Sequence, residues 1–263
     1  MSSAINALCG FGTIPARACD SVDFNGSTNF AYRLTDLTGN ADGKTGMFSV
    51  WTRIDGSVVN TPCVFTAVTD SGVFSFNSEL VIPVAGAANL AVGLNNATGV
   101  NILDLRTSTK YSAGATWRHW LAAWNLATGY AKFYVTDTDD TNLLGISNDT
   151  ANYAGTGYQS GVGAFQFGGG AAVNFDGCIA ELYYAPNQFL DITIQAIRRR
   201  FISASGKPVH LGVTGNLPTG ASPLVYLHID DGESVANFFT NRAGNGNYTS
   251  VGSFSAGSTS PSD

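Results

Sequence analysis

The chain has 263 residues, of which 44% are hydrophobic and 11% aromatic, so it can bury enough apolar surface to offset the entropy of ordering, which excludes a disordered protein. The formal net charge of −6 and the pI near 4.9 argue against a nucleic-acid-binding protein, because phosphate binding needs a basic face. Only 12% of the residues are charged, and the chain has four lysines and three glutamates. Lysine and glutamate are depleted in protein interfaces. The composition therefore fits either a subunit of a large assembly or a hydroxyl-rich β protein of the secreted type.

The N-terminal segment carries no targeting signal. Residues 1–10 lack both a charged region and an unbroken apolar stretch, which predicts that the chain has no signal peptide and is made in a cytoplasm. No run of about 20 apolar residues follows, so membrane insertion is not expected. We expect residues 1–20 to form an N-terminal arm.

The cysteines do not form a disulfide scaffold. Cys9, Cys19, Cys63 and Cys178 are few and scattered, and no two of them have the Cys-x-x-Cys spacing of a metal site. We therefore expect buried free thiols, with a Cys9–Cys19 bridge as the alternative in an oxidising compartment.

Short stretches of alternating apolar and polar residues recur along the first half of the chain. Examples are residues 48–54, 74–76, 90–94 and 131–135. This period-2 alternation is typical of half-buried strands, and the segments between them are rich in Gly, Asn, Asp and Thr, as turns are. Many strands with almost no helical spacing predict an all-β sandwich or barrel.

Two tryptophans lie on one predicted strand. Trp120 and Trp124 are four residues apart, so both side chains point to the same face. If that face is exposed, the two rings form a platform on which a sugar stacks; the alternative, which we favour, is that both rings belong to the core. Tyr111, Tyr153 and Tyr158, in predicted loops, are further candidate glycan contacts.

The polar hairpin tip at residues 136–142 is a candidate metal site. Asp137, Asp139, Asp140 and Asn142 offer oxygen atoms of the kind that bind calcium. The favoured alternative is a polar turn, because Asx residues favour turns and the Gly and Glu of an EF-hand loop are absent. No other cofactor is expected.

Residues that usually carry catalysis do not form a recognisable pattern. The sequence lacks the Glu-x-Asp-x-Glu run of glycoside hydrolases on sandwich folds, and its glutamates are far apart in sequence: Glu79, Glu181 and Glu233. No Gly-x-Ser-x-Gly elbow is present, and the histidines have no metal spacing: His119, His210 and His228. We therefore predict a protein that is not an enzyme, and a locally hydrogen-bonded His119.

Residues 191–202 have the one clear helical pattern. Ile194, Ile197 and Phe201 fall on one face, and Gly206 follows as a stop signal, which predicts an amphipathic helix. The arginines at 198–200 are expected on its solvated face.

Residues 203–263 are rich in Gly, Ser, Thr, Asn and Pro, with two short apolar islands. Such a composition predicts a C-terminal extension or small subdomain rather than a second core. We expect its last part, residues 241–263, to lie against a neighbouring subunit, with Asn241, Tyr248 and Phe254 among the contacts.

Four landmarks follow one another along residues 21–202: residues 22–30, 47–54, 117–135 and 175–184. Their order resembles the laminin-G-like or concanavalin A-like jelly-roll family, in which a first strand, a second apolar strand, a Trp-leading hairpin and a closing strand with a helical turn succeed one another. The resemblance implies an all-β, antiparallel β-sandwich with one short C-terminal helix and extended terminal arms. It also implies that a rim loop can hold calcium.

A second resemblance concerns residues 206–212 and 218–223, which are similar to segments of tailed-bacteriophage virion proteins that carry such a jelly roll. It implies a non-catalytic virion structural protein, as a capsid decoration or tail-associated component, made in the bacterial host cytoplasm. Its partners would be other copies of itself, in a symmetric homo-oligomer, and other virion proteins. The alternative function is a lectin-like module that binds a cell-surface glycan, and a glycoside hydrolase is less favoured.

Overall fold

The computed structural model describes residues 20–33, 40–56, 61–68, 74–84, 86–153, 159–164 and 174–263. These residues are almost entirely β structure. The strands, in chain order, are β1 (Val22–Asn25), β2 (Phe30–Arg33), β3 (Thr45–Ile54), β4 (Cys63–Val68), β5 (Phe74–Val84), β6 (Ala87–Asn95), β7 (Asn101–Thr107), β8 (Tyr111–Ser112), β9 (Arg118–Asn125), β10 (Tyr130–Val135), β11 (Thr138–Asp139), β12 (Thr141–Ile146), β13 (Gln159–Val162), β14 (Asp176–Pro186), β15 (Val225–His228), β16 (Thr249–Val251) and β17 (Ser255–Ala256).

The strands form two antiparallel sheets. Within the described ranges, the eight-stranded sheet has the order β11-β10-β9-β3-β14-β1-β17, with β15 also paired to β14. The nine-stranded sheet has the order β12-β7-β6-β5-β4-β13-β2-β16, with β8 paired to β6. One core contains buried residues of both sheets, so the two sheets pack face to face. The prediction of an antiparallel β-sandwich is confirmed.

Large aromatic side chains hold the two sheets together. Phe48, Trp124 and Tyr184 of the eight-stranded sheet meet Phe65 and Phe76 of the nine-stranded sheet. The ring centroids of Phe76 and Tyr184 are 4.5 Å apart, and those of Phe76 and Trp124 are 5.9 Å apart. Burial of each such ring contributes about 1.5 to 3 kcal/mol, so this cluster is a main source of stability.

The C-terminal segment belongs to the sandwich, which corrects the prediction of an arm or subdomain at residues 203–263. Strand β15 pairs with β14, β16 pairs with β2, and β17 pairs with β1. The segment therefore completes both sheets. The predicted N-terminal arm, apart from Asp20, lies outside the described residues.

The residues predicted to contact a neighbouring subunit contact their own chain instead. The Asn241 side chain, 3% exposed, accepts a hydrogen bond from the Tyr226 backbone N–H at 2.9 Å. The Tyr248 hydroxyl lies 2.8 Å from that of Ser160, and the Phe254 ring centroid lies 5.2 Å from that of Phe24. These three side chains therefore contribute to the folded chain, and a contact with a neighbouring subunit stays a prediction.

The predicted helix at 191–202 is shorter than expected. Its α-helical part, α1, is Gln195–Arg198, with turns on either side, and no other α-helix occurs in the described ranges. Phe201 is fully buried, as predicted, whereas Ile194 is 52% exposed and Ile192 is buried, so the buried face is shifted from the predicted one. Arg198 is 8% exposed and pairs with Asp137 at 2.5 Å, which corrects the prediction of a solvated arginine face. The described helical structure includes nothing long and apolar enough to span a membrane.

Candidate functional site

The outer face of the nine-stranded sheet, the face away from the core, carries a row of polar side chains on β5. Phe76 and Leu80 are fully buried in the core. Because successive side chains of a strand point to opposite faces, Asn77 and Glu79 point outward.

The same alternation places a second polar pair on β7. Leu103 and Leu105 are fully buried, so Asp104 and Arg106 point outward. Strand β6 lies between β5 and β7, and its outward residues at the same level are the small Ala91 and Gly93.

The register of the three strands turns these residues into a trough. Asn77 lies opposite Gly93 and Gly93 opposite Asp104, while Glu79 lies opposite Ala91 and Ala91 opposite Arg106. The two polar walls are two strand spacings apart, about 9 to 10 Å between backbones. We call this feature the β6 trough, defined by Asn77, Glu79, Ala91, Gly93, Asp104 and Arg106.

Gly93 is needed for the shape of the trough. A Cβ atom at this position would lie 2.3 Å from the Asn77 Oδ1 atom. The amide group of Asn77 therefore lies over the glycine, and a larger residue at this position would displace it. Ala91 is 4% exposed and Gly93 is buried, so the longer polar side chains on either side cover most of the floor.

The charged groups of the trough are paired on one wall. The Arg106 guanidinium donates two hydrogen bonds to Asp104, from Nε to Oδ1 at 2.7 Å and from Nη2 to Oδ2 at 2.8 Å. This bonding to Asp104 raises the pKa of Arg106 above its usual value. On the other wall, burial raises the pKa of the Glu79 carboxyl, although its hydrogen bond with Asn77 and the charge of Arg106 oppose the shift.

The margins of the trough are also polar. The Asn89 side chain, on β6, donates to the Thr107 carbonyl at 2.7 Å, and Asn142, on β12, lies opposite Arg106. Cys63 lies opposite Glu79 on β4, and burial together with the charge of Glu79 raises the pKa of its thiol to about 12. The thiol is protonated at neutral pH and is not a nucleophile.

The tryptophan platform considered from the sequence does not exist, because Trp120 and Trp124 point into the core. Both are fully buried, and the Trp124 Nε1–H donates to the Tyr153 hydroxyl at 2.9 Å. Tyr153 is itself 2% exposed, so it is not a glycan contact either. The alternative interpretation, that both tryptophans are core residues, is confirmed.

The other two candidate tyrosines have different outcomes. Tyr111 is half-buried; its hydroxyl donates to Asp140 at 2.6 Å, and the Arg118 guanidinium lies 4.9 Å from the ring centroid. Its polar group is therefore already bonded within the protein, on β8, which pairs with β6 at Ala87 and Ala88. Tyr158 lies outside the described residues.

The predicted calcium ligands do not converge on one point. Asp137 pairs with Arg198 and Arg199, at 2.5 and 2.6 Å. Asp139 pairs with Lys132 at 2.9 Å and accepts a hydrogen bond from the Thr141 hydroxyl.

The remaining two ligands of that set are also engaged elsewhere. Asp140 accepts hydrogen bonds from Tyr111 and from the backbone N–H groups of Ser108 and Thr109. Asn142 lies on β12 opposite Arg106. Because each carboxylate is bonded to a different protein group, these four residues do not form one ligand cluster, and their contacts fit the alternative of a polar turn.

A second polar cluster lies where β1, β14 and the end of β3 run side by side in the eight-stranded sheet. Ligand atoms of Asp23, Asp55 and Cys178 lie within 4.8 Å of one another. The Arg53 guanidinium forms a paired hydrogen bond with Asp55, at 2.6 and 2.7 Å, and burial raises the pKa of the Cys178 thiol to about 12. Asp55 is therefore already paired with a cation within the protein.

Two further predictions are confirmed. His119 is buried, its Nε2 atom lies 2.8 Å from the Ser49 hydroxyl, and burial lowers its pKa to about 3, so it is a neutral, locally bonded strand residue. Cys63 and Cys178 are buried free thiols. Cys9 and Cys19 lie outside the described residues.

The residues of the β6 trough were missed as a site by the sequence analysis. Glu79 was named only as one of three glutamates that are far apart in sequence. Asp104 and Arg106 were not named as candidates. A signal was available in the strand pattern, since residues 76–80 and 103–107 each alternate buried apolar residues with outward polar ones. What the sequence could not supply is the pairing of the two strands with the small-residue strand β6.

Comparison with known proteins gives the fold but no family. No family model matches the sequence. No curated protein matches it.

Solved structures of similar fold were found. A native heptameric SAP-like pentraxin from Limulus polyphemus superposes with a TM-score of 0.52 at 12% identity, over 91% of this chain and 94% of that one. A candidate carbohydrate-binding protein from Bacteroides ovatus superposes with a TM-score of 0.54 at 13% identity, over 92% of this chain and 60% of that one. Mouse laminin α1 domains LG4-5 match with a TM-score of 0.41 at 16% identity, over 67% of this chain and 43% of that one. The fold is a concanavalin A-like jelly roll, as the sequence resemblance implied.

Proposed function

We propose that this jelly roll is a carbohydrate-binding module that holds a saccharide in the β6 trough without cleaving it. The observation that carries the proposal is a floor of small residues, Ala91 and Gly93, between two walls of hydrogen-bonding side chains. The name of the Bacteroides ovatus structure, which has the same fold, is consistent with this function.

The side chains of the trough suit the hydroxyl groups of a sugar. Glu79 supplies acceptor oxygens, Arg106 supplies planar donors, and the amide of Asn77 supplies one of each. Neighbouring hydroxyl groups on a pyranose ring need such mixed donors and acceptors. These groups lie side by side on the outer face of the sheet, above the small residues of β6.

The proposal is binding without hydrolysis, and the contacts of the carboxylates support it. A glycosidase needs one protonated carboxyl and one free carboxylate that acts as base or nucleophile. In the trough, Asp104 is bound at both oxygens by Arg106, at 2.7 and 2.8 Å, so it is not free for that role. Binding without cleavage is therefore the function that fits these residues.

The test is a glycan array followed by calorimetry on the bound sugars. Gly93→Ala should weaken binding at least tenfold, because the new methyl group would lie where Asn77 now reaches over the floor. The matched control is Gly145→Ala on β12, where an added Cβ meets nothing within 4 Å. Equal binding by both variants would place the sugar elsewhere on the molecule, and no binding to any glycan would refute the proposal.

We propose a virion structural role as the second candidate: a capsid decoration or tail-associated protein, made in a bacterial host, with other copies of itself and other virion proteins as partners. It is supported by the resemblance of residues 206–223 and by the scarcity of lysine and glutamate. The C-terminal segment no longer supports it, because its strands pair within the chain. Light scattering of the full chain should give the mass of a closed homo-oligomer, and a monomer at high concentration would count against this role.

A further inference from the structure

We infer that the β6 trough selects uncharged saccharides and rejects those that carry carboxylate, sulfate or phosphate groups. The inference rests on the proposed function, since it names the class of sugar for the same site. It follows from the charges that line the trough rather than from its shape.

The one cation among the residues that define the trough is already neutralised. Arg106 uses Nε and Nη2 to hold Asp104 in a two-point pair, at 2.7 and 2.8 Å. An anionic group on a ligand would have to compete with Asp104 for these donors. The remaining N–H groups of the guanidinium still suit a neutral hydroxyl.

The opposite wall adds an acidic group. Glu79 points outward from β5 and has Asn77 and Cys63 as its neighbours on β5 and β4. Whether its carboxyl is ionised or protonated, it offers no positive charge to an anionic sugar. When ionised, it repels one.

Among the described residues that lie opposite the trough on β4 and β12, or flank it on β6, none is a cation. The side chains that flank it on β6 and β12 are amides, Asn89 and Asn142, and the outward groups of β5 and β7 are those already named. With Glu79 and Asp104 against Arg106, the trough is neutral to negative. A ligand anion placed there loses its hydration without gaining a counter-ion, which is costly.

The experiment uses the full chain on an array of matched pairs, each neutral oligosaccharide beside its sulfated form. Every pair that binds should favour the neutral member, by at least tenfold at low salt. The ratio of neutral to sulfated binding should fall toward one as added salt screens the repulsion.

Two variants test the cause of the preference. Glu79→Gln should reduce the neutral-to-sulfated ratio at least threefold, and Asp104→Asn, which frees Arg106, should reduce it further or reverse it. The control is Asp231→Asn, which changes the net charge equally at an exposed turn beyond β15, and it should leave the ratio unchanged.

The outcomes separate the inference from the function on which it rests. Tighter binding of the sulfated members, or a ratio that neither trough variant alters, overturns the inference and leaves the carbohydrate-binding function standing. Failure of both members of every pair to bind overturns the proposed function, and the inference with it.

Discussion

Individual side chains lie either in the core or on an outer face of the sandwich, and this placement determines which of them can contact a ligand. Trp124 and Tyr153 share a hydrogen bond inside the core, whereas Glu79 and Arg106, on the opposite sheet, face outward. Every second residue is buried along the described parts of β5 and β7, whereas β9 is buried on both faces. The roles of these four residues therefore depend on which face of its sheet each one occupies, and strand alternation alone does not state which face is inside.

A first prediction concerns the buried hydrogen bond of Tyr153. Tyr153→Phe leaves the Trp124 Nε1–H without its 2.9 Å partner and should lower the free energy of unfolding by about 1 to 3 kcal/mol. Denaturant unfolding measures the change. Saccharide binding should be unaffected, because Tyr153 lies in the core; a loss of binding in a variant that still folds would restore Tyr153 as a ligand contact.

A second prediction concerns the pH dependence of stability at Glu79. Its pKa is raised above the ordinary 4.5, chiefly by burial, so the folded state favours the protonated form. The stability that Glu79 contributes is present below pH 4.5 and is lost as the pH rises through the raised pKa. Glu79→Gln should therefore increase the Tm at pH 7 by a few degrees, since about 1 kcal/mol corresponds to roughly 2 to 4 °C for a chain of this size.

Thermal melts of wild type and Glu79→Gln from pH 3.5 to pH 8 check this. The two curves should converge at the acidic end, where the wild-type carboxyl is protonated in both the folded and the unfolded chain. A constant difference across the pH range would show that the effect comes from packing and not from the charge.

At the scale of elements, local sequence pattern predicted the strands well and the C-terminal segment poorly. Strands β3, β5, β6 and β10 contain the predicted alternations. Strands β15, β16 and β17 lie among Gly, Ser and Asn residues, and their formation depends on backbone pairing with strands far away in sequence. The composition of this segment indicates that it has no core of its own. It does not indicate that its strands can pair with distant strands of the two sheets.

A third prediction follows from this pairing. Seven apolar side chains beyond Ser205 are fully buried: Val209, Leu211, Val225, Tyr226, Leu227, Ile229 and Phe238. At about 1.5 to 3 kcal/mol each, their loss would remove about 10 to 20 kcal/mol, which exceeds or equals the typical net stability of about 5 to 15 kcal/mol. A chain that ends at Ser205 should be unfolded by circular dichroism. A cooperative melt of that chain would show that residues 206–263 are an appendage after all.

For the helical segment, the local pattern at residues 191–202 predicted the position correctly but not the length. The α-helical part, α1, is only Gln195–Arg198. Buried Arg198 pairs with Asp137, from the hairpin tip that was considered for calcium. Amphipathic spacing does not predict this contact between two polar segments.

At the scale of the whole molecule, the two outer faces of the sandwich differ. The outer face of the eight-stranded sheet is covered, because a second apolar cluster joins its side chains to the segment after β14: Met47, Leu121, Tyr183, Ile192, Phe201, Val209 and Leu211. The outer face of the nine-stranded sheet carries the β6 trough. The fold could be predicted from landmark order, whereas the site depends on which sheet face the described segment after β14 covers.

A fourth prediction belongs to the charge of the whole chain. With a net charge of −6, the protein should not be retained by immobilised duplex DNA at 50 mM salt, because no counterions are released when it approaches phosphates. A basic protein of similar size serves as the positive control in the same binding assay. Retention that disappears as salt is raised would reveal a basic patch and contradict this expectation.

The pairing of β1 with β14 and β17 has a consequence for synthesis of the chain. The first described strand finds its neighbours only when the last part of the polypeptide has left the ribosome. At about 5 to 20 residues per second, translation leaves its edges without partners for many seconds. The high contact order of such a sheet also slows folding once the chain is complete. Production at low temperature or with a chaperone that shields strand edges should therefore raise the yield of folded protein.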